Sequence, residues 1–431
     1  MKFIRHDAPD YAEAILALDR SAMPDPAIAA TVQEIISQIR SRGDAALIEL
    51  TARFGGPTLT PDTLRVQPEE IQAARDALSE ETRAALQISH TNVAEFSKRS
   101  LRTAWHGTNA QGTEVGERFD PFQRVGIYVP GGTAPLVSTS IMTATLAHVA
   151  GVPEIVVTTP AGPDGTVNPD LLAALDLAGV TEIYKVGGAQ AVAALAFGTP
   201  TIQPVAKIFG PGNAYVVEAK RQCFGQVAID LLPGPSEILI LADDSANPRW
   251  VAADVLAQAE HGARSMVGVL SPSESFLNAV QSEIESQFNS LSRKDHLRPV
   301  LEESTWLVLV PTLQEGVQLV NQFAPEHLAI MTHDDDKIAS EIFSAGAIFL
   351  GNFSPVAGGD FMAGPSHELP TGGAGKSFPG LTADMFQKRT SLVRFSKESL
   401  QKSLATIETF GKIEGLDAHA RSASIRFDNQ I

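Results

Sequence analysis

The sequence predicts an α/β protein of two Rossmann-like parallel-sheet domains with small helical N- and C-terminal extensions. Three observations carry this. Between residues 124 and 223, short apolar runs lead repeatedly into glycine turns and then into helical segments, the rhythm of βαβ units. A second stretch of the same texture begins near Ser236 and runs to Leu350. Residues 27–105 instead place apolar side chains three and four apart, the period of amphipathic helices, and a weaker helical pattern returns after Leu381.

In chain order, 27–39 and 44–54 are expected as helices, separated from a longer helical stretch over 68–105 by Gly55-Gly56 and the turn-rich 57–61. Val125-Gly-Ile-Tyr-Val129 is an expected strand running into Pro130-Gly131-Gly132, with an apolar helix over 135–149. Strands 154–159, 182–186 and 205–209 then alternate with helices 168–177, 189–197 and 214–223. In the second stretch, strands 237–242, 266–270, 305–310 and 345–350 alternate with helices 248–260, 276–288 and 313–323. Residues 351–380 are rich in Gly, Pro and Ser with little periodicity, and a loop of that length in a compact chain is usually functional. The expected division is 1–24 as an extension, 25–127 with 239–380 as the first α/β domain, 128–238 as the second, and 381–431 as a tail.

A length of 431 residues fits two or three domains. With 44% hydrophobic and 19% charged residues the chain has ample core material, which argues against disorder. No run reaches ~18 uninterrupted apolar residues, so no membrane span is expected. The N-terminus lacks an apolar signal segment, and a cytoplasmic location follows by default. A net charge of −17 argues against nucleic acid as a partner, though not against small anions held by backbone amides. The single cysteine, Cys223, rules out an intrachain disulfide and a Cys-rich zinc site. Any metal must therefore sit on His, Asp, Glu or amide oxygen.

Three glycine turns offer backbone amides at helix starts: Tyr128-Val-Pro-Gly-Gly132, Gly187-Gly-Ala-Gln190 and Gly210-Pro-Gly-Asn213. None is GxGxxG, and each alone reads as a tight turn without a ligand. Together, with Tyr128, Gln190 and Asn213 near the strand ends, they favour a nucleotide site. Gly372-Gly-Ala-Gly-Lys376-Ser377 is not a P-loop, because the required leading glycine is Pro370.

Gln258 and His261 stand three apart at a helix end and share a face on which one ion could sit. Asp360 follows two glycines in the long loop, and His419 lies in the tail. Taken singly they read as a helix cap, an Asx turn and a solvated residue, and spacing does not assemble them. Glu326-His327, after Pro325, sets a carboxylate beside an imidazole at an element boundary, which suits acid–base chemistry. The same pair also reads as exposed polar residues at a strand start. His367 is a comparable loop residue, expected to hydrogen-bond within its loop. Ser236 follows Pro233-Gly-Pro235 without a GxSxG elbow, so a serine hydrolase is discounted.

Set side by side, these segments resemble the histidinol dehydrogenases. The likeness runs through Gly126–Pro135, Gly187–Ala191, Lys207–Asn213, Gly234–Glu237, Leu256–Gly262, Pro325–Leu328, Ser344–Gly351, Gly358–Phe361, Gly364–Thr371 and Glu414–Ala420. It implies a two-step, NAD-dependent oxidation of histidinol to histidine through histidinal, with one Zn2+ per subunit that positions the substrate. The zinc ligands it implies are Gln258, His261, Asp360 and His419. His327 is implied as general base and Glu326 as the group that activates water. Tyr128, Gln190 and Asn213 would contact NAD, making 128–238 the NAD-binding domain. Ser236 and Glu414, with His327 and the zinc ligands, would bind substrate. The resemblance further implies a homodimer with an exchanged tail, so that His419 and Glu414 serve the partner's site. Competing readings are a related dehydrogenase of a small sulfonated diol, a zinc hydrolase using Glu326, and a silent metal-binding protein.

Overall fold

The computed structural model describes residues 1–18, 20, 25–131, 135–262 and 264–428. Residues 132–134, which close the first glycine turn, lie outside the described residues, as does Ala263.

The chain opens with a strand, β1 (Lys2–Arg5), and a short helix, α1 (Tyr11–Leu16). Four helices follow: α2 (Pro26–Arg42), α3 (Asp44–Arg53), α4 (Pro68–Ala77) and α5 (Glu80–Ser97). Asp25 starts α2 by accepting the Ala27 N–H at 2.8 Å, and Pro26 fills the first turn without an N–H to satisfy. The helical pattern expected to reach residue 105 stops at Ser100. From there β2 (Trp105–Thr108) and β3 (Glu114–Pro121) form an antiparallel ribbon with a strand far down the chain, β14 (Gln387–Arg394). Its hydrogen bonds come from nearly 300 residues away, so no local periodicity announces it.

The first parallel sheet is built from β4 (Arg124–Tyr128), β5 (Glu154–Thr158), β6 (Glu182–Tyr184), β7 (Lys207–Phe209) and β8 (Ala228–Ile229), in the order β6-β5-β4-β7-β8. Helices α6 (Val137–Val149), α7 (Pro169–Leu177), α8 (Gly188–Phe197) and α9 (Ala214–Cys223) connect them. The second sheet has the order β1-β11-β10-β9-β12-β13 and is parallel throughout. Its strands are β9 (Glu237–Ala242), β10 (Met266–Ser271), β11 (Thr305–Leu309), β12 (His327–Met331) and β13 (Ala347–Leu350), together with β1. Helices α10 (Pro248–Ala259), α11 (Glu274–Phe288), α12 (Lys294–Glu303), α13 (Leu313–Phe323), α14 (Asp335–Ser340) and α15 (Val356–Phe361) complete it. The tail adds α16 (Lys397–Glu414) and α17 (Asp417–Ser424). Strands β9 and β12 are buried at every residue, as central parallel strands covered on both faces must be. No helix among the described residues is long and apolar enough to cross a membrane.

Two apolar clusters cover the faces of each parallel sheet. Residues 25–127, expected to group with 239–380, place buried helix faces on the five-stranded sheet. Val32, Ile35, Ile36 and Ile39 of α2 bury with α8 and α9, and α4 and α5 bury with α6 and α7, all on the five-stranded sheet. The apolar stripe was legible, but a stripe does not say which sheet covers it. Likewise β1, inside the expected extension, is an edge strand of the six-stranded sheet beside β11.

The five-stranded sheet meets the segment leading into β14 at one stacked pair. Phe209, ending β7, lies against Phe386 with ring centroids 3.9 Å apart and planes 18° from parallel, both fully buried. Phe386→Ala should destabilise the fold by about 3–5 kcal/mol. This would be read as a lower urea midpoint at unchanged m-value, and a loss under about 1 kcal/mol would contradict it.

Candidate active site

Adjacent parallel strands β9 and β12 begin side by side, with His327 registered against Ile238. The residues at their entrances, Ser236-Glu237 and Glu326-His327, are therefore neighbours. Helix α13 is capped by Ala324, at φ 53 the one non-glycine residue with positive φ among those described. Pro325 follows, so a strained turn delivers Glu326. Gly346 closes the other side: its N–H donates to Pro325 O at 2.9 Å, and a Cβ there would meet the Glu326 carbonyl at 2.5 Å. Only glycine permits that approach.

The pair is buried and wired. Glu326 Oε2 accepts from Ser236 Oγ–H at 2.6 Å and from the Glu237 N–H at 2.8 Å. Ser236 Oγ in turn accepts from Gln258 Nε2 at 2.9 Å. With its amide nitrogen spent there, the atom Gln258 can offer a ligand is Oε1. His327 Nδ1 lies 3.0 Å from the Glu237 carbonyl oxygen and 3.4 Å from Glu326 Oε2. Both are acceptors, so Nδ1 carries the proton, and in the neutral ring Nε2 holds the lone pair. Nε2 is buried without a hydrogen-bond partner and faces Asp360 Oδ1 at 3.7 Å, too long for a hydrogen bond. Burial opposes protonation of His327, but Glu326 and Asp360 outweigh it and push its pKa up to about 10. Burial likewise opposes ionisation of Asp360, yet His327, His367 and His261 hold its carboxyl below the usual range.

Asp360 sits in α15, so part of the expected 351–380 loop is helical; the paired glycines before it hid the turn. Helix α5 pins that segment, Ser89 Oγ–H donating to Phe361 O at 2.6 Å and Asn92 Nδ2 to Met362 O at 2.9 Å. Further on, Ser366 Oγ–H donates to Met142 O on α6 at 2.8 Å. His367 Nδ1–H donates to the Asp360 carbonyl at 3.0 Å, the within-loop role expected of it. Burial holds His367 below its ordinary pKa, against the pull of Asp360. The loop therefore spans from the helices of one sheet to the catalytic edge of the other.

Asp360 faces the unpartnered Nε2 of His327, Gln258 reaches Glu326 through Ser236, and His261 is close enough to act on Asp360 electrostatically. His419 and Glu414 do not join them. Both are exposed on the tail, and among the described residues neither side chain hydrogen-bonds or ion-pairs with the cluster. The described residues contain no group of three or more His, Cys, Asp or Glu able to hold a metal. A zinc site needs four donors, and one chain brings a His, an Asp and an amide oxygen. Those donor types suit a divalent ion in their chemistry.

On the five-stranded sheet, Tyr128 Oη accepts the Gly188 N–H at 3.0 Å and so ties the first glycine turn to the second. Gln190 is buried, and its Oε1 has no hydrogen-bond partner. Asn213 is exposed and caps α9, its Oδ1 accepting the Tyr215 and Val216 N–H groups at 3.0 and 3.2 Å. At the third turn Gly210 (φ 103) has room for no side chain, since a Cβ would lie 2.2 Å from Tyr128 O.

Four residues around the site were not singled out from the sequence. Lys220, fully buried, donates to Gly210 O at 2.8 Å and pairs with Asp230, whose Oδ2 accepts the Gly210 N–H at 2.7 Å. The signal was present: Lys220 falls on the apolar stripe of α9, with Val216, Ala219 and Cys223. Glu368 is buried beside His367, and burial pushes its carboxyl up to about 8, so it keeps its proton at neutral pH. Glu237 also escaped notice, a charged residue opening an otherwise apolar strand.

Two parallel α/β sheets, with a buried carboxylate–imidazole pair where central strands of one begin and glycine turns where strands of the other end, define an enzyme of the α/β class. Comparison with known proteins narrows this. The family model "Histidinol dehydrogenase" matches residues 18–427. A histidinol dehydrogenase of Geobacillus kaustophilus (strain HTA426) is 46% identical over 397 residues, covering 92% of this chain and 93% of that one. One from Heliobacterium mobile is 42% identical over 422 residues, covering 98% and 97%. Among solved structures, histidinol dehydrogenase from Elizabethkingia anophelis superposes with TM-score 0.93 at 35% identity, covering 99% of this chain and 98% of that one. The chain belongs to the histidinol dehydrogenase family, oxidoreductases of histidine biosynthesis. The sulfonated-diol and hydrolase alternatives find no favour in these similarities.

Proposed function

We propose that the chain oxidises L-histidinol to L-histidine through histidinal in two NAD-linked steps. One zinc ion per subunit would hold the substrate on Gln258, His261, Asp360 and the partner's tail imidazole. The observation that carries the reading is the orientation of His327: Nδ1–H is tied to the Glu237 carbonyl, and Nε2 is left without a hydrogen-bond partner, facing Asp360.

His327 Nε2 takes the alcohol proton as the carbon gives up hydride, leaving the aldehyde. Glu326 keeps Oε2 engaged with Ser236 and Glu237, so Oε1 is the oxygen left to accept a proton from the water that adds to the aldehyde. A second hydride loss from the hydrate gives the carboxylate. Zinc bound here would fix the substrate's imidazole and amine and offset the negative charge of Asp360, favouring the neutral His327 that a base requires. NAD, when bound, accepts the hydride. Tyr128, Gln190 and Asn213 would position it at the glycine turns, and Ser236 and Glu414 would contact substrate.

The reading includes a cytoplasmic homodimer with exchanged tails. Phe395, Phe410, Ile413, Leu416 and Ile425 are exposed along the tail, an apolar face that a second copy would cover. Purified protein with zinc, NAD and histidinol should form two NADH per histidinol, because alcohol to acid is a four-electron oxidation; no NADH formation would sink the proposal. In Glu326→Gln the first step should survive and the second fail, giving one NADH per histidinol with aldehyde trapped by semicarbazide. Full stoichiometry in that variant would remove Glu326 from the hydration step.

A further inference from the structure

We propose that Arg20 and Glu237 are positioning residues, a clamp from the N-terminal segment that sets the backbone groups aiming Glu326 and His327. The inference rests on the dehydrogenase reading above and deepens it.

Glu237 is the one residue to which both catalytic side chains are fastened through the main chain. Its N–H donates to Glu326 Oε2 at 2.8 Å, and its carbonyl accepts a hydrogen bond from His327 Nδ1–H at 3.0 Å. The orientation of its two peptide planes therefore sets which oxygen of Glu326 is free and where Nε2 of His327 points. Upstream lies Pro233-Gly-Pro235, where two of three positions lack an N–H for a sheet to hold. The side chain supplies the missing constraint. Arg20 Nε and Nη2 donate to Glu237 Oε1 and Oε2 at 2.8 and 2.6 Å, a two-pronged pairing that fixes angle as well as distance.

The same guanidinium holds the other strand entrance. Its Nη1 donates to Phe323 O at 2.8 Å, and the group lies 3.3 Å above the Phe323 ring. Phe323 ends α13, at the turn that delivers Glu326. Glu237 Oε1 also accepts the Gly372 N–H at 2.9 Å, which joins the loop carrying Asp360 to the clamp. One cation thus ties together β9, the approach to β12 and the loop. The pair is secluded, with side-chain exposure of 10% for Arg20 and 2% for Glu237. Burial pushes the Glu237 carboxyl up and Arg20 works against it, so losing Arg20 leaves a carboxylate with no counter-charge.

The test is steady-state kinetics on full-length, zinc-loaded Arg20→Ala and Arg20→Lys beside the unaltered protein, with activity expressed per bound zinc. Arg20→Ala should lower kcat by about 10–100-fold, with KM for histidinol and NAD within about threefold, because the reacting groups are misaimed while the binding groups stay. Guanidinium ion at millimolar concentration should restore part of kcat in Arg20→Ala and none in the unaltered protein. Should Arg20→Ala fail to fold, Arg20→Lys decides. It keeps the charge and loses the fork, and a lowered kcat at an unchanged melting midpoint supports the clamp. Unchanged kcat per zinc in either folded variant overturns it and leaves Arg20 a structural strap. Failure of the unaltered protein to reduce NAD with histidinol overturns the dehydrogenase reading first and the clamp with it.

Discussion

Replacing His327 with Asn should lower kcat for histidinol oxidation by about 10²–10⁴-fold, the range a positioned proton acceptor contributes. The substitution is chosen to spare everything else. An Asn amide still donates to the Glu237 carbonyl that His327 now uses, and it is small enough for a site already packed by Phe349, whose ring centroid lies 6.0 Å from the imidazole. What it lacks is a basic nitrogen. KM and zinc content should therefore change little while kcat falls, the signature of an interaction made only in the transition state. The pH profile supplies the sign. A base must be neutral, so in the unaltered enzyme the rate rises with pH as His327 loses its proton, and that rising limb should vanish in His327→Asn. A variant that keeps both the rate and the limb would place the base elsewhere.

A second large effect comes from mixing two dead proteins. His419→Ala should lose zinc, and His327→Asn should lose the base, so each homodimer is expected to be inactive. If tails are exchanged, a mixed dimer has one site with both defects and one with neither. Co-expression at equal levels makes about half the dimers mixed, so about one quarter of the unaltered activity should return. If each tail serves its own subunit, every site keeps one defect and nothing returns. The structure motivates the experiment: Asp360 lies beside His327 and Gln258 is linked to Glu326 through Ser236, whereas His419 stands exposed on α17.

How much of this was legible beforehand differs by element. Buried parallel strands such as Val125–Tyr128 and Ile238–Ala242 show as apolar runs, so the central strands of both sheets could be read from the sequence. The antiparallel ribbon could not, because Trp105–Thr108 and Gln387–Arg394 take their partners from β3, remote from at least one of them. β1 is four residues long and pairs with β11, some 300 positions away. At the site, Glu326-His327 stood out as adjacent titratable groups beside a proline. What sequence could not supply was the third dimension. Gln258 bears on Glu326 only through Ser236, and Glu237 matters for its backbone rather than its side-chain type. Lys220 and Glu368 were missed because ionisable residues are assumed to face water, and these two do not.

Cys223 bears on how the intermediate is handled. The chain's one thiol is fully buried at the end of α9, and burial pushes its pKa up to about 12. It is neither ionised nor reachable at neutral pH, so no sulfur is at hand to capture an aldehyde as a thiohemiacetal. Under the proposed two-step oxidation the aldehyde would pass between the two steps without a thiohemiacetal to this chain, and thiol-directed reagents should leave turnover unchanged.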